Sequence, residues 1–254
     1  MLTLSSDFGS PYPAAMKGAI LQRTDTRLVD VAHDFPRQDV RAAAFWLREV
    51  LPYFPPAVHL VVVDPGVGTD RAALAVRAGD HALVGPDNGV LRPVARELAG
   101  EAEVEAFEIT VEDPDSATFH GRDVFAPAAA RVHEAGVGAF HERAEFTPTD
   151  DVVDRTFPEA TVADDAATGE VLVVDGFGNA VTNVPGDVLV DAFGGTVTVD
   201  GESAPTRRYY AAVDAGEQLV TVGSHGNVEL AVNRGRGDEA FGVDVGDTVT
   251  IGTD

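Results

Sequence analysis

The chain has 254 residues, 44% of them hydrophobic, enough for one large domain or two modest ones with a true core. Its 42 Asp and Glu against 18 Lys and Arg give a formal charge of −24, which argues against nucleic acid as a partner. The absence of cysteine rules out disulfides and thiolate metal sites, and no apolar run approaches the ~18 residues of a membrane span.

The acidic residues are scattered along the chain, and Lys17 is the only lysine. Such an acidic surface is like those of proteins from high-salt cytoplasms, where 1 M salt screens self-repulsion beyond ~3 Å. The first residues lack the basic region of a signal peptide, so a cytoplasmic protein is expected.

In chain order, residues 2–6 read as a short strand, left through Asp7-Phe8-Gly9-Ser10, and Tyr12-Pro13 opens a helix to about residue 22. Residues 28–31 form a second strand and His33-Asp34-Phe35-Pro36 a loop. Asp39 caps a helix whose apolar positions Val40, Ala43, Ala44, Leu47, Val50, Leu51 and Phe54 follow a 3.6 period. Residues 58–63 make a β-branched central strand. Short strands at 74–76 and 82–84 precede the turn Gly85-Pro86-Asp87-Asn88-Gly89, and Asn88 is expected to cap a helix ending at Gly100. Residues 104–109 are another strand, and 123–135 are helical provided Pro127 lies in the first turn. Alternating strands and helices imply a mainly parallel sheet flanked by helices.

The pattern then changes. Residues 145–169 are rich in Asp, Thr, Pro and Ala. This predicts an N-terminal α/β domain over 1–155, a linker over 156–169 and a smaller C-terminal antiparallel, barrel-like β domain over 170–254. Its expected strands are 170–174, 196–199, 209–213, 219–222, 228–232 and 248–251, with no helical period.

The polar residues that could carry chemistry cluster after strands. Asp64 ends the central strand, Pro65, Gly66 and Gly68 force a tight loop, and Arg71 follows within reach. Loops past the carboxyl ends of strands in open α/β sheets are where ligands bind. The pair reads either as a reactive site or as a surface salt bridge. Asp7 occupies the same position after the first strand, placed either to accept hydrogen bonds from ribose hydroxyls or to cap the next helix. The Gly85–Gly89 turn lacks the Lys-Ser/Thr of a phosphate loop. His120, in Thr118-Phe119-His120-Gly121-Arg122-Asp123, arrives on a long loop beside Arg122 and Asp123; the other candidates His33, His59, His81, His133 and His141 have no comparable setting. Without cysteine or a helical histidine pair, no metal site is expected. In the second domain, Asp175-Gly176-Phe177-Gly178-Asn179 combines a free backbone, a stacking face and a two-way hydrogen-bonding amide. Gly223-Ser224-His225-Gly226-Asn227, with Glu229 and Val232-Asn233, is a second polar cluster, and together the two suit a nucleoside-sized pocket.

Taken together, Ser6-Asp7-Phe8-Gly9, Val63-Asp64-Pro65-Gly66-Val67-Gly68-Thr69 with Arg71, Gly85-Pro86-Asp87-Asn88-Gly89, Thr118 to Asp123, Phe177-Gly178-Asn179, and Gly223-Ser224 with Val232-Asn233 resemble the S-adenosylmethionine hydroxide adenosyltransferase family. These are hydrolases of S-adenosylmethionine related to fluorinating and chlorinating adenosyl enzymes. The resemblance implies an N-terminal α/β and a C-terminal β domain, and a homotrimer with active sites between subunits. It also implies the reaction: water displaces methionine from C5′, giving adenosine. It puts catalysis on Asp64, Arg71 and His120, ribose binding on Asp7, and adenosine contacts on Asn179, Tyr210, Ser224, Glu229 and Val232. Asp175 and Phe177 match the halogenating relatives, whose aromatic residue near Gln38 is missing here.

The chemistry fits. A neutral thioether leaves without a proton, so the demand falls on water, a poor nucleophile with a pKa of ~15.7. Arg71 cannot act as a base; His120 can accept a proton and Asp64 can orient the water or the histidine, and which residue takes the proton is left open by the sequence. No cofactor is expected, since S-adenosylmethionine is the substrate. One alternative is a halogenase, which the Asp64 carboxylate opposes by repelling halide. The other is a nucleoside- or S-adenosylmethionine-binding module without turnover.

Overall fold

The computed structural model describes residues 1–110 and 118–253, in two compact units, Met1–Thr156 and Phe157–Asp254. The first unit contains the strands β1 (Leu2–Ser6), β2 (Leu28–Ala32), β3 (Val58–Val62), β4 (Ala73–Ala78), β5 (His81–Pro86), β6 (Val104–Ile109) and β7 (Phe146–Pro148). Its helices are α1 (Tyr12–Leu21), α2 (Val40–Val50), α3 (Arg92–Ala99) and α4 (Ala126–Ala135). The strands form one seven-stranded sheet in the order β2-β1-β3-β5-β4-β6-β7.

Four strands, β2, β1, β3 and β5, run parallel. Helices cover both faces of β1 and β3, which are buried along their whole lengths, while β2 at the sheet edge is only half-buried. Leu2, Leu4, Leu60 and Val62 meet Met16 and Ile20 of α1 and Ala128 to Val132 of α4 on one face. On the other, α2 packs on α3. The antiparallel remainder has a local cause. Only Gly79 and Asp80 separate β4 from β5, with Gly79 at φ +57°, and so short a connection permits only a hairpin.

Chain order sets the functional edge. From β1 the chain passes through α1 to β2 on one side, then through α2 to β3 on the other side of β1. The strand order therefore reverses between β1 and β3, and a crevice opens past their carboxyl ends. Ser6 pairs with Val62 at that edge, so Asp7 and Asp64 leave the sheet side by side.

Two local expectations change. Asn88 does not cap α3, whose N-cap residue is Leu91 and which has no side-chain cap. Instead its Nδ2 donates to the Val63 carbonyl at 2.9 Å and its Oδ1 accepts from Val90 N at 3.1 Å, pinning the turn to the end of β3. Pro127 is tolerated because a π-type turn over Gly121–Phe125 precedes α4 and leaves the proline in the helix's first turn.

The second unit is an antiparallel sheet of β8 (Thr161–Val162), β9 (Ala166–Val174), β10 (Ala180–Pro185), β11 (Thr196–Val199), β12 (Glu202–Pro205), β13 (Gln218–Val222), β14 (Asn227–Val232) and β15 (Thr248–Gly252). The order is β12-β11-β15-β9-β10-β14-β13, with β8 beside β9. A bridge between Thr206 and Val220 brings the two end strands together, so the sheet nearly closes into a barrel around Val171, Leu189, Val220, Leu230 and Val249. The expected strand at 209–213 is instead a 3₁₀ turn, Tyr210–Ala212. The chain must turn there after the Thr206 bridge, and Ala212 N bonds back to Tyr209 O at 3.1 Å. A short helix, α5 (Gly237–Phe241), also lies where only strands are expected.

At the amino end of the first sheet, buried His59 links Thr3 Oγ1 (2.8 Å to Nδ1) to His81 Nδ1 (2.9 Å from Nε2). Burial, then the neighbouring His81 charge, pushes the His59 imidazole down to about 3. The native state therefore holds it neutral, while the unfolded chain protonates it below about 6.5. Its contribution to stability is complete above that pH and is lost as pH falls toward 3. Between pH 6 and 4 a His59→Phe variant should lose stability less steeply than wild type by roughly 1.4 kcal/mol per pH unit, read from urea melts across that range.

Candidate active site

The end of β3 builds the first half of the site. Asp64 is the second residue past the strand, and its side chain is only 2% exposed. A carboxylate so buried needs a charged, hydrogen-bonded partner. Arg71 provides it, at the far end of a tight loop held by Thr69, whose Oγ1 donates to Gly66 O at 2.7 Å. The guanidinium meets Asp64 two-pronged, Nε to Oδ1 at 2.8 Å and Nη2 to Oδ2. Gly66 N adds a bond to Oδ1 at 3.2 Å, Nη1 donates to Ala72 O at 3.1 Å, and the cation lies 4.9 Å over the Phe125 ring. Nearby Asp87 is held above the usual carboxylate range by burial, against a 2.8 Å bond from Val153 N that pulls the other way.

His120 completes the group: its Nδ1 lies 3.2 Å from Arg71 Nη2. A guanidinium only donates, so Nδ1 must be the acceptor and the neutral ring carries its proton on Nε2. Its Nδ1 lone pair faces the Arg71 guanidinium. What His120 offers a ligand is an Nε2–H donor. The acceptor among the three is Asp64, where Oδ2 keeps a lone pair beyond the Arg71 bond. The loop expected to deliver His120 runs through 111–117, outside the described residues.

Asp7 caps no helix: α1 begins without a side-chain cap. Its Oδ2 accepts from Gln38 N at 2.6 Å, and Gln38 holds a left-handed φ of +62°. Such a conformation in a non-glycine residue is strained, and here it aims an N–H at the carboxylate. Behind Asp7 runs a chain that single-residue reasoning missed. Ser6 Oγ bonds His33 Nδ1 at 2.7 Å, His33 Nε2 bonds Asp30 Oδ1 at 2.9 Å, and Lys17 Nζ donates to Asp30 Oδ2 at 2.5 Å. Ser6 is buried, so this Ser-His-Asp series braces the strand end rather than presenting a nucleophile. The available signal was positional: Ser6 ends one strand and His33 follows the adjacent parallel one.

In the second unit the expected residues form two clusters. Asp175 Oδ1 accepts from Phe177 N (2.8 Å) and Asn179 N (2.9 Å), and Oδ2 accepts from Asn179 Nδ2 (2.9 Å). The loop is thus rigid while the Phe177 ring stands 82% exposed. Buried Glu229 on β14 takes a bond from Tyr210 Oη at 2.7 Å and lies 3.0 Å from His225 Nε2. His225 Nδ1 accepts from Asn227 N at 3.3 Å, so Nε2 is the donor to Glu229. Burial, then the bond to Glu229, raises the Tyr210 hydroxyl's pKa, so it stays protonated and donates. A side chain at Gly223 would strike Glu229 Oε1 and His225 Nε2, which is why that turn carries glycine. Ser224 lies exposed on the turn and Val232 is buried at the end of β14, neither joined to these bonds. The His225–Glu229 pair went unread because two strand residues four apart do not face each other unless a turn intervenes.

Comparison with known proteins agrees with this layout. Residues 2–142 match the SAM hydroxide adenosyltransferase N-terminal domain and residues 169–250 its C-terminal domain. The chain is 40% identical over 258 residues to the (R)-S-adenosyl-L-methionine hydrolase of Salinispora tropica, covering 98% of this chain and 97% of that protein. It is likewise 40% identical to the one so named from Thermus thermophilus, covering 97% of each. Among solved structures, an uncharacterized conserved protein from Thermotoga maritima superposes with a TM-score of 0.84 at 32% identity, covering 99% of both chains. A conserved hypothetical protein from Thermus thermophilus gives 0.76 at 38% identity, covering 98% of both. With both domain patterns present in order along its length, this chain belongs to the SAM hydroxide adenosyltransferase family.

Proposed function

We propose that the protein hydrolyses S-adenosyl-L-methionine to adenosine and L-methionine. The observation that carries this is the meeting of Asp64, Arg71 and His120 at the switch point of a chain 40% identical, nearly end to end, to named hydrolases of that substrate. The relatives' names specify the R configuration at sulfur, and the proposal takes the same epimer as substrate.

In this reading Asp64 accepts a proton from a water whose oxygen is held by His120 Nε2–H. The O–C5′ bond forms as C5′–S breaks, the bonding pair leaves on sulfur as a neutral thioether, and the water's proton passes to Asp64. Arg71 stays cationic, holds the Asp64 carboxylate in place and fixes the ring of His120. Placement of the water in line with C5′–S can be worth about 7–11 kcal/mol of barrier. A halide in the same position would face the buried carboxylate, so water is the favoured nucleophile.

Asp7 is proposed to hold the ribose hydroxyls, and Asp175, Phe177, Asn179, Tyr210, Ser224, Glu229 and Val232 to bind adenosine. These sets are proposed to meet between subunits of a homotrimer. No cofactor is invoked, because the leaving group needs neither proton nor metal. A cytoplasmic setting with high salt is proposed from the −24 charge.

Incubated with separated sulfur epimers in halide-free salt, the protein should release equimolar adenosine and methionine, faster from the R epimer, with or without EDTA. A 5′-halo-adenosine formed in chloride, or no methionine release, would overturn the assignment. In single turnovers Asp64→Ala and His120→Ala should each slow the reaction by roughly 10² or more, whereas unchanged rates in both would remove the trio from the chemistry. Sedimentation should give three times the chain mass, with activity lost on dilution to monomer. The melting temperature should climb with KCl, and one indifferent to salt would sink the high-salt reading.

A further inference from the structure

Three aromatic rings form a cluster at the same edge that the proposed chemistry leaves unused. Phe8 follows Asp7, Phe119 precedes His120, and Tyr12 opens α1. The rings meet edge to face in all three pairs: Phe8–Tyr12 at 6.1 Å, Phe8–Phe119 at 6.0 Å and Tyr12–Phe119 at 5.6 Å. Phe8 and Phe119 pack against the core of the first unit, while Tyr12 is 53% exposed. The cluster lies over the switch point. A Cβ at Gly121 would come within 3.0 Å of Met16 Sδ, 3.1 Å of Phe119 Cε2 and 3.3 Å of Val62 Cγ1, so the backbone beside His120 packs tightly among α1, the Phe119 ring and the end of β3. The loop after β1, which carries Asp7, and the segment that carries His120 are thus joined through these rings.

An aromatic ring that is half exposed beside a polar site, and fixed by two others, has lost little freedom and offers a π face. Faces in this region already hold cations: the Arg122 guanidinium lies 5.3 Å over Phe119 and Arg71 lies 4.9 Å over Phe125. A sulfonium arriving here meets the guanidinium of Arg71 beside Asp64, and an aromatic face at the same edge offers its positive charge a further place to rest.

We propose that the exposed ring of Tyr12, held by Phe8 and Phe119, is a specificity element that recognises the sulfonium charge of the substrate. The inference rests on the hydrolase reading above and deepens it. Its energetic consequence is distinctive. The sulfur is cationic in the bound substrate and becomes neutral as the thioether departs, so a group that binds the charge stabilises the ground state more than the transition state. Tyr12 therefore lowers KM without raising kcat.

The test compares the charged ligand with an uncharged one that lacks only the sulfur methyl group. KM for S-adenosylmethionine and Ki for the neutral thioether S-adenosylhomocysteine are measured for wild type, Tyr12→Leu and Tyr12→Phe. Tyr12→Leu should raise KM about three- to tenfold at unchanged or slightly higher kcat, and move the Ki less than twofold. Tyr12→Phe, which keeps the ring, should stay within twofold of wild type on both. Equal weakening of both ligands in Tyr12→Leu would mean simple packing and overturn the inference, as would a fall in kcat at constant KM. Unchanged constants in an active Tyr12→Leu enzyme overturn it while leaving the hydrolase reading intact. If wild type binds S-adenosylmethionine without turnover, the hydrolase reading fails and dissociation constants for the two ligands decide the Tyr12 question by the same criterion. A wild type that binds neither ligand overturns both.

Discussion

The bidentate pair between Asp64 and Arg71 is the constraint on which the functional edge depends. A carboxylate 2% exposed at the end of a sheet strand cannot be left without a partner. The requirement for its guanidinium explains the path of the intervening loop, with the Thr69 hydroxyl on Gly66 O closing it at 2.7 Å. Arg71 then has a second consequence. Because it can only donate, it dictates the tautomer of His120, 49 residues away along the chain. One ion pair thus divides labour among three side chains: an acceptor, a fixed cation and an N–H donor.

Topology places that pair where a ligand can meet it. The reversal of strand order between β1 and β3 sends α1 and α2 to opposite faces and leaves the carboxyl ends of these two strands uncovered. Asp7 and Asp64 emerge there together because the strands pair in register, Ser6 beside Val62. Supports radiate from that edge. Asn88 ties the next turn to the Val63 carbonyl, and the Ser6–His33–Asp30–Lys17 series secures the end of β1. Gln38, strained into a left-handed conformation, presents its N–H to Asp7. The barrel-like unit applies the same logic with different parts: Tyr210 and His225 both donate to one buried carboxylate, Glu229.

Sulfonium chemistry makes modest demands on such a site. The leaving group departs neutral, so no acid is needed, and what remains is to position water, accept one proton and receive a cation. In the proposed mechanism these tasks fall on different residues, because a guanidinium can neither take a proton nor attract a cation.

In the first unit the amino-acid sequence by itself determined most element types and their order, since a strand buried on both faces, such as β3, demands a nearly continuous apolar run and helix faces demand a 3.6 period. It also marked Asp64, Arg71, Asp7 and His120, because glycine and proline punctuation after a strand is a local signal. Tertiary structure alone decided how these groups are used. Asn88 reads locally as a cap, yet the Val63 carbonyl claims its amide. Residues 209–213 have strand composition, yet the chain turns so that Tyr210 reaches Glu229. Which nitrogen of His120 faces Arg71 is settled only by the contact between them. In each case the deciding partner lies tens of residues away or on another element, and a hydrogen bond's donor and acceptor roles belong to the pair, so no stretch of sequence read by itself contains them.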